Sequence, residues 1–164
     1  MSENEILGTF IIAFFGFFIV MLVVGLILYI LQAIGLFKIA KREGRADLAW
    51  LAWIPIASTF LMTLIVENDV HKEFRGKLTL IYGIAFAASV ILSSFIPFVG
   101  FISTIIIYYA FYFLAKKFSP NPILHLVISI ITIGIAMPIS IFIFRNREAI
   151  IHDEQEPIID SPDM

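Results

Sequence analysis

The sequence predicts an all-α, polytopic integral membrane protein. The expected architecture is a small helical bundle of three to four transmembrane helices plus one or two proline-broken re-entrant or interfacial segments. Three observations predict it. First, 60% of the 164 residues are hydrophobic, 15% are charged and the mean hydropathy is +1.00; soluble domains average about 45–50% apolar and about 25% charged. Second, the apolar excess is gathered into five blocks, 6–37, 48–66, 78–96, 101–115 and 123–144, none of which holds an Asp, Glu, Lys or Arg. Third, all eleven Lys and Arg fall in four short stretches between or after those blocks: Lys38, Lys41, Arg42, Arg45; Lys72, Arg75, Lys77; Lys116, Lys117; Arg145, Arg147.

Block 6–37 has 32 residues. At 1.5 Å per residue a helix of that length extends about 48 Å, beyond the roughly 30 Å hydrocarbon core, so it must tilt, project or end in the interface. Gly8, Gly16, Gly25 and Gly35 do not share one face at about 100° per residue, which argues against a glycine dimer seam. The preceding Met-Ser-Glu-Asn-Glu lacks the basic flank of a cleaved secretory signal, so a retained helix is expected. Block 48–66 is just long enough to span and carries Pro55 near its middle. Proline removes a donor and disfavours helix at the preceding Ile54. Trp50 and Trp53 stand at its start, where interfacial indoles belong.

Blocks 78–96 and 101–115 read as a helical hairpin around Pro97-Phe98-Val99-Gly100. Ala85, Ser89 and Ser93 are spaced by four and form a small-residue face that lets a neighbouring helix approach. Block 123–144 is long enough to cross but is broken by Gly134 and Pro138. From His152 onward the chain has five acids, two prolines and no Lys or Arg, an acidic disordered tail by composition. The division expected is one membrane domain over 1–151 and that tail over 152–164.

Charge counting ranks the topologies. If all five blocks cross, the two sides hold six and five basic residues. If only 48–66 turns back the division is nine against two, and if 123–144 also turns back it is eleven against none. Basic residues in short loops mark the cytoplasmic side, so the charge rule favours the arrangement in which both proline-containing blocks fail to cross. The acidic N-terminus is then external. Phe37-Lys38-Ile39-Ala40-Lys41-Arg42 and Tyr112-Phe113-Leu114-Ala115-Lys116-Lys117 form a weak internal echo, each ending a helix ahead of a proline-interrupted block.

Ile34-Gly35-Leu36-Phe37-Lys38-Ile39-Ala40-Lys41-Arg42, then Ala49-Trp50-Leu51-Ala52-Trp53-Ile54-Pro55-Ile56, and the closing Pro138-Ile139-Ser140-Ile141-Phe142-Ile143-Phe144-Arg145-Asn146-Arg147 resemble a group of small uncharacterised polytopic bacterial membrane proteins, mostly Gram-positive. The resemblance covers the layout of residues 30 to 147. It implies a bacterial plasma membrane and brings no activity. Ala57-Ser58-Thr59-Phe60 stands where such proteins carry a polar Asn-aromatic pair.

The densest titratable group is Glu67, Asp69, His71 and Glu73. It reads either as metal ligands or an acid–base set at the membrane surface, or as a solvated loop marking helix ends; the second reading is the stronger. His125 reads as a pH sensor or, more simply, as a packed interfacial histidine. Lys38, Lys41, Arg42 and Arg45 are candidate contacts for anionic lipid headgroups, each contributing about 1 kcal/mol near a charged surface. With no cysteine, thiolate chemistry is excluded. No ionisable Asp, Glu, Lys or Arg sits inside a block, which argues against a proton relay or intramembrane enzyme. A net charge of −2 gives no nucleic-acid footprint.

The expectation is therefore a non-enzymatic accessory, scaffold or regulatory membrane protein without a cofactor. Its partners are the lipid bilayer and either another membrane protein or further copies of itself. The alternatives are a small oligomeric channel and a surface enzyme acting on lipid headgroups through the Glu67–Glu73 loop.

Overall fold

The computed structural model describes residues 3–93 and 95–150, with side chains described from Leu7 on and for all of these but Pro97. The acidic tail expected over 152–164 lies outside the described residues. Among them the chain forms six α-helices, two short 3-10 turns and no strand. Helix α1 spans Glu3–Arg42, α2 Pro55–Val66, α3 Leu78–Leu92, α4 Gly100–Phe118, α5 Pro122–Ile131 and α6 Ala136–Phe144. The 3-10 turns cover Ala49–Trp53 and Pro97–Val99. Two helices, α1 from Leu7 and α4, are long and apolar enough to cross a membrane.

Three prolines begin elements instead of breaking them. Pro55 opens α2, Pro97 the second 3-10 turn and Pro122 α5. At that position the missing N–H has no acceptor to lose and the fixed φ suits the helix. Ile54 before Pro55 is extended (φ −109°, ψ 118°), as the proline demands. Pro138 corrects the sequence reading. It sits in the first turn of α6, where it interrupts nothing. The break in block 123–144 is instead the turn 132–135, in which Ile133 (φ 52°) and Gly134 (φ 88°) both take positive φ. Backbone bonds from Gly134 N to Ser129 O (2.7 Å) and from Ile133 N to Ile130 O (3.0 Å) close a Schellman motif there. α1 ends in a related way. Gly44 (φ 75°) lets Arg45 N reach back to Ala40 O at 2.9 Å, and Lys41 and Arg42 in the last turn oppose the negative end of the helix dipole.

α4 is the central helix and touches α2, α3, α5 and α6. The C-terminal part of α1 packs on α6, on the first 3-10 turn and on α2. The core joins Leu36, Ile39 and Ala40 of α1 to Leu61, Met62 and Val66 of α2, Phe111, Leu114 and Phe118 of α4, and Ile141 and Phe144 of α6. Gly35 sets the α1–α6 distance. A Cβ there would stand 2.8 Å from both Ile141 Cγ2 and Ile141 O. Such close approach through a small residue is how helices gain dispersion contacts where lipid removes the hydrophobic drive to associate.

Cross-helix hydroxyl contacts add to this packing. Tyr82 Oη donates to Thr59 Oγ1 (2.9 Å), joining α3 to α2. His125 Nδ1 lies 3.0 Å from Ser140 Oγ, joining α5 to α6. Each such bond contributes on the order of 0.6–2 kcal/mol in a membrane setting.

Helix lengths show where each segment turns. α4, with 19 residues, is about 28 Å long, close to the hydrocarbon thickness. α2, α5 and α6 have 12, 10 and 9 residues and reach only about 18, 15 and 14 Å. Tyr29 Oη donates to Trp53 O at the tip of the 46–66 excursion; Tyr29 is about 20 Å along α1 from Arg42. Trp53 thus packs beside the middle of α1 and not beside its basic end.

Candidate functional site

The four basic stretches, dispersed over more than a hundred residues, meet at one end of the bundle. Lys117, just past the last apolar turn of α4, joins two loops at once: its Nζ lies 2.5 Å from Glu43 Oε2 and 2.8 Å from Asp69 Oδ2. Arg42 at the end of α1 donates to Phe144 O and Arg145 O, both at 3.4 Å, and its guanidinium lies over the Phe118 ring at 4.9 Å. Ile150 N donates to Lys117 O at 2.8 Å, so the segment after α6 returns to the same end.

The titratable loop separates into individual tasks. Glu67 Oε1 accepts from Thr79 N (3.3 Å) and so caps α3, whose own Lys77 makes no side-chain cap. Asp69 is held by Lys117. His71 Nδ1 lies 2.7 Å from Tyr109 Oη, with its ring edge-on to Phe113 at 5.3 Å. Among the described residues no three His, Cys, Asp or Glu side chains converge to hold a metal ion.

Of the four candidate headgroup contacts, Lys38, Lys41 and Arg42 are exposed and Arg45 is half-buried. Lys41 lies over Phe37 at 4.4 Å, and Arg42 is engaged with α6 as above. On α3, Ser89 is buried and its hydroxyl donates to Ala85 O (2.7 Å), while lying 3.4 Å from Ser103 Oγ of α4. Ala85 is half-buried and Ser93 exposed. The small-residue face is therefore used inside the chain, at Ser89, for the α3–α4 hairpin.

Sequence reasoning missed the His71–Tyr109 contact, which spans 38 residues. The only hint was that Tyr108, Tyr109 and Tyr112 collect at the basic end of α4. It also missed Glu67 as a cap, because the helix it caps starts eleven residues later. No protein-family model, no curated protein and no solved structure matches this chain.

Proposed function

We propose that this chain is a polytopic membrane protein of a bacterial plasma membrane, acting by association as an accessory, scaffold or regulatory subunit. In this reading α1, α3 and α4 cross, while 46–66 and 122–144 are re-entrant hairpins that enter from and return to the cytoplasmic side. The meeting of all four basic stretches at one end supports that topology.

The observation that carries the association reading is the length of α1. Its apolar block extends about 48 Å; even at 40°, the upper end of usual helix tilts, it covers about 37 Å against roughly 30 Å of hydrocarbon. Side chains from Thr9 to Ile27 are all exposed, among them Phe10, Phe14, Phe15, Phe17 and Phe18. Apolar helix in excess of what lipid covers calls for another protein surface. The buried hydroxyls of Ser58 and Thr63 donate to carbonyls of their own helix (2.7 and 2.8 Å), which makes them packing groups and weakens the channel reading. Glu67, Asp69 and His71 are each engaged by a neighbour, which weakens the surface-enzyme reading.

The test is affinity purification of the full chain from its native membrane in mild detergent, beside a variant with Phe14, Phe17 and Phe18 replaced by Ala. A stoichiometric partner, or a second copy, that is lost in the variant is expected. Recovery of the chain alone in both would sink the proposal.

A further inference from the structure

α4 and α5 border a groove of about 420 Å³. On α4 its wall is Ile105, Tyr108, Tyr109, Tyr112 and Phe113, a spacing that places all five on one face of the helix. On α5 the facing wall is Leu126 and Ile130, four residues apart. His71, from the loop before α3, closes one end. Tyr109 stands about 10 Å along α4 from Lys116, and Ile105 about 6 Å further. In the bilayer placement proposed above, the groove therefore starts under the basic end and opens into lipid.

Three properties of this lining select an occupant. The first is charge. No Asp, Glu, Lys or Arg contributes to the groove, and a charged guest would lose its hydration there with no counterion in reach, so the occupant is neutral. The second is shape. Five of the eight lining side chains are flat rings, and their neighbours hold them in place. His71 lies nearly parallel to Tyr109 (6.0 Å between centroids, 25°), Phe113 is edge-on to His71 at 5.3 Å, and Tyr108 Oη donates to Ser129 O at 3.4 Å. Fixed rings gain most from a planar guest that stacks or meets them edge to face. The third is hydrogen bonding. His71 Nδ1 and Tyr109 Oη are 2.7 Å apart. A neutral imidazole and a phenol hold two polar hydrogens, and their contact uses one, so the pair keeps one N–H or O–H donor whichever way that bond runs. A carbonyl answers such a donor without bringing a charge.

A few placed polar groups in a mainly apolar, aromatic lining is the ordinary make-up of a small-molecule site. A guest that is neutral, planar, carbonyl-bearing and lipid-soluble is a prenylated quinone. We infer that the groove binds one isoprenoid quinone per chain. A ring carbonyl accepts from the His71–Tyr109 pair, the ring lies against Tyr112 and Phe113, and the isoprenoid tail leaves past Ile105 and Ile130 toward the bilayer interior. The site is separate from Lys38, Lys41, Arg42 and Arg45. It rests on the bilayer placement proposed above but not on the association reading.

The test uses the full chain in a mild detergent, titrated with a short-tailed menaquinone, with geranylgeraniol as an isoprenoid tail without the ring, or with phosphatidylglycerol, and read by native mass spectrometry. One menaquinone per chain, held at least tenfold more tightly than either of the others, is expected. Tyr109→Phe keeps the ring and removes the hydroxyl; it is expected to weaken menaquinone at least fivefold and to leave geranylgeraniol unchanged. Ile130→Trp, on the exposed wall of the groove, fills the space and is expected to weaken menaquinone at least fivefold. A circular-dichroism melt establishes that each variant is folded. Geranylgeraniol or phosphatidylglycerol held as tightly as menaquinone would make this a plain lipid groove and overturn the inference. A folded Tyr109→Phe or a folded Ile130→Trp that binds menaquinone as before would overturn it too. Placement is read independently by cysteine labelling in cells, so failure of the quinone site and failure of the bilayer reading are distinguishable.

Discussion

From Thr9 to Ile27 every side chain of α1 is exposed, whereas from Ala33 to Ala40 the same helix buries Ala33, Gly35, Leu36, Ile39 and Ala40 against its neighbours. The first stretch is free of charge, the second carries only Lys38, and both are largely apolar. What separates them is what the rest of the chain brings alongside. The near half meets α6, the first 3-10 turn and α2; these short elements return before they reach the far half. Apolar content alone therefore does not say whether a membrane helix faces protein or lipid. A glycine with a neighbour does: Gly35 is pressed on Ile141, while Gly8, Gly16 and Gly25 have nothing within 4 Å of where a Cβ would stand.

The contrast between depths is tested most sharply by labelling, where the outcome is all or none. Single cysteines at Phe98 and at Ile133, introduced into this cysteine-free chain, are probed on intact cells with a membrane-impermeant reagent. Phe98→Cys, at the far turn of the α3–α4 hairpin, is expected to label and Ile133→Cys to stay protected. Labelling at Ile133 would make α5 a crossing helix and undo the separation between deep and shallow elements.

Packing within α1 comes next in size. Gly35→Leu forces a side chain into Ile141 and its carbonyl, and a cost of about 3 kcal/mol is expected, a Tm fall of about 6–12 °C in detergent. Gly16→Leu is the matched control and should shift Tm by less than about 1 °C. Equal effects at the two positions would show that the far half is also packed within the chain.

Lys117→Ala leaves Glu43 and Asp69 facing each other without their cation. About 2 kcal/mol is expected, or about 4–8 °C in Tm at neutral pH. An unchanged Tm would mean that the two contacts add nothing to the stability of the fold.

The smallest expected effect is a gain. Ile133 is β-branched, 91% exposed and held at φ 52°, a conformation costing on the order of 1–2 kcal/mol for such a residue. Ile133→Gly is expected to raise Tm by about 2–4 °C. No gain would mean the tip gives up nothing by holding Ile there.

Much of the fold was legible because charge and proline act locally. The basic stretches announced a common end, and Pro55 announced the extended Ile54 and the start of α2. The 32-residue block announced a helix too long for the bilayer. Pro138 misled because its effect depends on register. Three residues into a helix it interrupts no backbone bond, and only the turn at 132–135 fixed that register. The candidate site was less legible. Glu67, Asp69 and His71 looked like one cluster in the sequence. Their partners, Thr79, Lys117 and Tyr109, come from three different places in the chain, and no local pattern encodes such pairings.

The double grip of Lys117 sets an order on how the molecule can be completed. Glu43 and Asp69 leave the ribosome 74 and 48 residues before the lysine that joins them. The latch therefore closes only when α4 has brought Lys117 back beside both loops, and Arg42 gains its acceptors at the end of α6 later still. A chain whose α3–α4 hairpin fails to return leaves both carboxylates without the cation that joins them.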